Sequence, residues 1–158
     1  MFSFQVSRLP REFTACNPNQ NQDNNRLGKI RDTISRMLYG FADAEWASGR
    51  AEMTEILRER ARSSRGMITY GDLSQQLRSV AIDPHEPAMG HMLGEISVRE
   101  SQSGRGMLSV IVVHKDGDME PGNGFYECAE SLGFDVSDRM AFWVSELHKV
   151  HAYWSKHP

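Results

Sequence analysis

At 158 residues the chain fits one domain, given the usual span of roughly 100–200 residues, and is long enough to bury a core without disulfides or structural metal. Its net charge of -3 and isoelectric point near 6.1 exclude a globally basic nucleic-acid binder, so any such surface must be local. The two cysteines, Cys16 and Cys128, do not suggest a disulfide framework, and a reducing, cytoplasmic setting is the expectation.

Residues 1–25 culminate in the polar stretch Cys16 to Asn25, which has almost nothing to bury against its ordering entropy. They read as a disordered or loosely docked tail, with 26–158 forming a single α/β domain. No secretory leader is visible in Met1 to Thr14. The longest apolar run, Val110 to Val113, is far too short to span a bilayer, so no membrane is expected as a partner.

Leu27, Ile30, Ile34, Leu38 and Phe41 recur at helical spacing, predicting an amphipathic helix that ends near Trp46 to Gly49. A second helix is predicted from Ala51 to Ser64, with Met53, Ile56, Leu57 and Ala61 as its buried stripe and Gly66 as its stop. Thr69 is placed to cap a helix from Tyr70 to about Val80. Asp83-Pro84 and Glu86-Pro87 break the chain, and Pro87 opens a helix over Ala88 to Glu100 that buries Met89, Met92, Leu93 and Ile96. Met107 to His114 is β-branched and apolar on both faces, predicting a central strand. Asp116-Gly117 signals a hairpin or turn, and Pro121 to Gly124 a second turn. A short helix is predicted next, from Phe125 to Leu132. The last helix runs from Ser137 to Trp154, with Met140, Trp143, Val144, Leu147 and Val150 on one face. The order describes a helix-rich α/β (α+β) domain with a small sheet of two or three strands.

Three fragments carry a family resemblance. Ile68-Thr69-Tyr70-Gly71-Asp72-Leu73, Pro87-Ala88-Met89-Gly90-His91-Met92-Leu93, and the run from Leu108 to Gly117 occur in an order and spacing similar to the winged-helix domain of the DNA alkyltransferases and alkyltransferase-like proteins. The similarity covers Met67 to Gly133, under half the chain. It implies a winged-helix-like fold and a nucleic-acid partner, and it aligns Tyr70 with the family tyrosine that helps rotate a nucleotide. Leu108-Ser109-Val110-Ile111 stands where the family has Pro-Cys-His-Arg, so the acceptor cysteine is missing and alkyl transfer is not implied. Pro87 stands where the family inserts an arginine into the duplex.

Arg58, Arg62 and Arg65 fall at i, i+4 and i+7 of the second helix. A guanidinium row of this kind binds phosphates through forked, charge-assisted hydrogen bonds, unless it is a solvated face paired with Glu55 and Glu59. With Tyr70 these arginines make the nucleic-acid-binding expectation. His91 and Glu95 share a helix face, and His114 and Lys115 end the predicted strand. If the four converge they suit metal-dependent phosphodiester hydrolysis, although the strand lacks an acidic residue two before its lysine. Gly122-Asn123-Gly124 before a helix offers free backbone N–H groups to an anion, or is a tight turn. His148 and His151 lack a third metal ligand at suitable spacing, Asp116-Gly117-Asp118 lacks the downstream glutamate of a calcium loop, and no cofactor is called for. Cys128 reads as core packing. Tyr153 and Trp154 read as packing or as an exposed patch for a protein partner, which the tail also offers. Three functions fit these residues: a winged-helix-like nucleic-acid-binding module, a small phosphodiesterase or nuclease, or a protein-interaction domain.

Overall fold

Helix α1 spans Asp43–Arg62 and carries Asp43 and Glu45 in its first turn and Arg60 and Arg62 in its last, the arrangement that complements a helix dipole. The computed structural model describes residues 39–63, 66–117 and 119–157. The expected tail, the stretch Leu27 to Leu38 of the first predicted helix, Arg65 and Asp118 lie outside the described residues. The break predicted between Trp46 and Ala51 is absent, and α1 continues through it. Gly49 supports close packing rather than a helix end: a Cβ there would lie 2.6 Å from both methyls of Val80.

Strand β1, Ile68–Thr69, leads directly into α2, Tyr70–Gln76. Thr69 caps α2 as its position predicts, its Oγ1 accepting from the Asp72 N–H at 3.1 Å. The helix stops before Val80 because its next backbone donors have another acceptor. The N–H groups of Arg78 and Ser79 donate to the Glu52 carboxylate of α1. Helix α3, Pro87–Gln102, starts on its proline and buries Met89, Met92, Leu93 and Ile96, as the periodicity predicts.

The predicted central strand is the main correction. Leu108–Ile111 forms a 3-10 turn, and only Val112–Val113 is strand, β2. It pairs in parallel with β1, Ile68 opposite Val112 and Thr69 opposite Val113, and the sheet has just these two strands among the described residues. Every residue from Met107 to Val113 is buried. Helices α1, α3 and α5 (Arg139–Trp154) pack around the turn, leaving no room for flanking strands. Its backbone is satisfied by side chains instead. Ser109 N–H donates to Ser97 Oγ at 3.0 Å, Met107 N–H to Glu146 Oε1 at 2.7 Å, and Trp143 Nε1–H donates to the Val110 carbonyl at 3.1 Å. A buried backbone without such partners costs about 1–3 kcal/mol per group, so these three side chains make the 3-10 turn tenable.

The expected hairpin at Asp116-Gly117 is a loop closed by the His114 N–H donating to the Glu120 carbonyl at 3.0 Å, with Gly117 at φ 94°. Helix α4 spans Asn123–Ser131, and α5 is capped by Asp138, whose Oδ1 accepts from the Ala141 N–H at 2.9 Å. On α5 the buried face is Glu146, Val150 and Trp154, while Met140 and Val144, predicted inward, are exposed. The described residues belong to one unit, Tyr39–Pro158, a helix-rich α/β domain around a single apolar core. Among them no helix is long and apolar enough to cross a membrane.

Candidate functional site

Two parallel strands deliver the residues after them to the same edge, and here Tyr70 follows β1 and His114 follows β2. Their rings meet with centroids 4.9 Å apart and planes tilted by 33°. Tyr70 is half-buried and His114 exposed, so the imidazole is the outer member of the pair. Gly122 closes the back of this pair. Its N–H donates to Tyr70 Oη at 3.3 Å, and a Cβ at Gly122 would lie 3.0 Å from that oxygen and 3.1 Å from His114 Nε2. Burial pushes the Tyr70 hydroxyl above its ordinary pKa, against the opposing pull of the Gly122 N–H, so it is neutral and keeps a proton to donate. In front of the pair lies a cleft of about 340 Å³, walled by Asp72 and Gln75 of α2, His85, and Lys115 and Asp116 of the loop after β2. Ligand clefts outside the carboxyl ends of parallel strands are a general feature of α/β architecture.

His91 and Glu95 share a face of α3 as predicted, Nε2 to Oε1 at 3.3 Å. They line a different cleft, about 730 Å³ between α3 and α4, whereas His114 and Lys115 line the one at the strand ends. The four-residue catalytic constellation expected from sequence is therefore split. The reason is that α3 turns His91 and Glu95 toward α1. Glu95 Oε2 accepts from Arg50 Nη1 at 2.7 Å and from Trp46 Nε1 at 3.2 Å, and His91 packs against Trp46 and Tyr39. Burial alone would raise the Glu95 carboxyl, but these donors outweigh it and hold it below the usual carboxylate range. Glu95 is thus an ionised anchor between helices.

The arginine row is also redistributed. Arg58 lies over the Trp154 ring, 5.0 Å from its centroid, and donates Nη1 to Glu55 and Nη2 to Glu100 at 2.7 and 2.8 Å. Arg62 sits 6.0 Å from the same ring, and its Nε donates to the His157 carbonyl at 3.4 Å. Both of these arginines of α1 thus lie beside Trp154 of α5, Arg58 half-buried and Arg62 exposed. Arg65 lies outside the described residues.

The glycine turn opens α4, but its donors are partly used. Gly122 N–H goes to Tyr70, and the Asn123 Oδ1 accepts from Arg139 Nη1 at 2.9 Å. Gly122 takes φ -68°, so a positive φ does not explain the glycine; close approach to Tyr70 and His114 does. Cys128 is half-buried with its thiol pushed up by burial, and Trp154 is buried, leaving no exposed Tyr153–Trp154 patch. His151 Nδ1 lies 2.8 Å from the Ala61 carbonyl, tying α5 to α1.

Sequence reasoning named Tyr70, His114 and Lys115 but assigned them to two separate functions. It missed His85, which lies between the two predicted chain breaks, and the contact of Gly122 with Tyr70. The available signal was that both extended segments are followed by a ring-bearing residue, which matters only once their parallel register is known. Compared with protein-family models, with curated proteins and with solved structures, the chain matches none.

Proposed function

We propose that this domain is a nucleic-acid-binding module that receives a base and its phosphate in the cleft at the strand ends. His114, backed by Tyr70, supplies the stacking face, and Lys115 supplies the phosphate contact. The observation that carries this reading is the pairing of the two rings at 4.9 Å beside a lysine in one cleft. Stacking on an aromatic ring is worth about 1–3 kcal/mol per base and tolerates any sequence. A cleft of about 340 Å³ suits one base rather than a duplex groove. An acidic chain can bind this way because the contact is local. The hydrolase reading loses support from the division of its four residues between two clefts and from the ion-paired state of Glu95.

The test is fluorescence anisotropy with labelled single-stranded and duplex oligonucleotides over a salt series. The single strand should bind more tightly, and affinity should fall with salt. His114→Ala should weaken binding by roughly 5- to 100-fold, the loss of one stacked base. Lys115→Ala should reduce the salt slope by about one phosphate. Absence of binding at low salt, or an unchanged affinity in both variants, refutes the proposal.

A further inference from the structure

The packing of α1 against α3 gathers four arginines that are scattered in sequence. Arg50 and Arg58 of α1, Arg99 near the end of α3 and Arg105 of the turn after it line a cavity of about 400 Å³. It shares no lining residue with the Tyr70–His114 cleft. Two carboxylates line the cavity with them, Glu55 and Glu100. Glu100 is buried and takes Arg58 Nη2 at 2.8 Å, Arg105 Nε at 2.6 Å and Arg105 Nη2 at 3.1 Å. Glu55, with 64% of its side chain exposed, takes only Arg58 Nη1. Arg50 is drawn away by Glu95, which belongs to the adjoining cleft.

The charges do not balance. Four guanidinium groups face two carboxylates, and counting Glu95 as well still leaves one excess positive charge. The hydrogen bonds do not balance either. Each guanidinium carries five N–H donors. Arg105 also has the Tyr153 hydroxyl beside it, but among the described residues no acceptor takes Arg50 Nε or Nη2 or any side-chain nitrogen of Arg99, and Arg58 Nε is buried without a partner. The carboxylates at the cavity therefore do not neutralise its four guanidinium groups.

We propose that the cavity binds a phosphate monoester, the doubly charged oxyanion of a small phosphorylated molecule. A phosphate monoester brings up to two negative charges and three strong acceptor oxygens, which match the excess charge and the open forks; a carboxylate brings one charge and two oxygens. The volume falls in the range of small-molecule sites, about 300–1,000 Å³. Ala47, Ala51 and Ile96 supply apolar wall for the group that bears the phosphate.

The test is isothermal titration of the full chain with inorganic phosphate and with glycerol phosphate, a monoester with no ring to stack, in low-salt buffer. Both should bind saturably at one site. Arg99→Ala should weaken binding about tenfold or more, one charge-assisted fork, and Arg99→Glu should abolish it. Arg99 is exposed and has no partner among the described residues, so neither variant should move the thermal midpoint. No saturable binding of either probe, or equal binding by Arg99→Glu, overturns the inference.

Discussion

Replacing Glu100 by glutamine removes one charge from the best-buried ion-pair cluster in the domain without changing side-chain shape. The native carboxylate has 3% of its side chain exposed and holds two guanidinium groups through three hydrogen bonds of 2.6–3.1 Å. Removing one partner of a buried ion pair costs about 3–5 kcal/mol, because the other is left desolvated. Arg58 and Arg105 keep 26% and 25% side-chain exposure and regain some water, so a loss of about 3 kcal/mol is expected at pH 7. The pH dependence supplies a second constraint. Burial alone would raise the Glu100 carboxyl, yet the Arg105 and Arg58 bonds outweigh it and hold it below its ordinary pKa. A depressed folded-state pKa gives stability that is complete above the unfolded value, about 4.3, and is lost as pH falls through the lower folded value. The gap between the parent and Glu100→Gln should therefore shrink as pH drops below about 4. Urea unfolding in phosphate-free buffer at pH 7 and in steps down to acid measures both effects. A loss under about 1 kcal/mol at neutral pH, or a gap that does not narrow in acid, refutes the reasoning.

Gly106 adopts φ +86°, and a Cβ there would lie 2.7 Å from a Val150 methyl, so Gly106→Ala should destabilise by about 2–4 kcal/mol in the same unfolding assay. An unchanged denaturation midpoint would contradict this. Trp143→Phe removes the donor to the Val110 carbonyl and should cost about 1–3 kcal/mol; a neutral result would mean that the 3-10 turn does not depend on that bond. Tyr70, raised by burial, contributes stability that is present below the ordinary tyrosine pKa of about 10 and is lost as pH rises through its higher folded value. Burial raises the Tyr126 hydroxyl as well, so ultraviolet titration should find two tyrosines ionising late in the parent and one fewer in Tyr70→Phe.

What was legible in the sequence was what neighbouring residues decide. The Thr69 cap, the Pro87 start and the buried stripe of α3 depend on partners one or two turns away. The Met107 to Val113 run was not legible, because a β-branched apolar segment suits a buried strand and a buried 3-10 turn equally. Its conformation is decided by Ser97, Trp143 and Glu146, which lie 12 to 39 residues from the groups they bind. Arg58 is a similar case: helical periodicity places it toward solvent, and Trp154, close to the other end of the described chain, brings it inward. The candidate site was half visible, since Tyr70, His114 and Lys115 stood out as residue types. Only the parallel register of β1 and β2 sets the two rings side by side.

The most direct test of base binding at the strand ends is an amide chemical-shift titration of the labelled protein with a short single-stranded oligonucleotide. Base binding there predicts perturbations concentrated at Thr69 to Asp72, at His114 to Asp116 and at Gly122. Shifts confined to the Arg58 and Arg62 face, or no shifts at low salt, would contradict it.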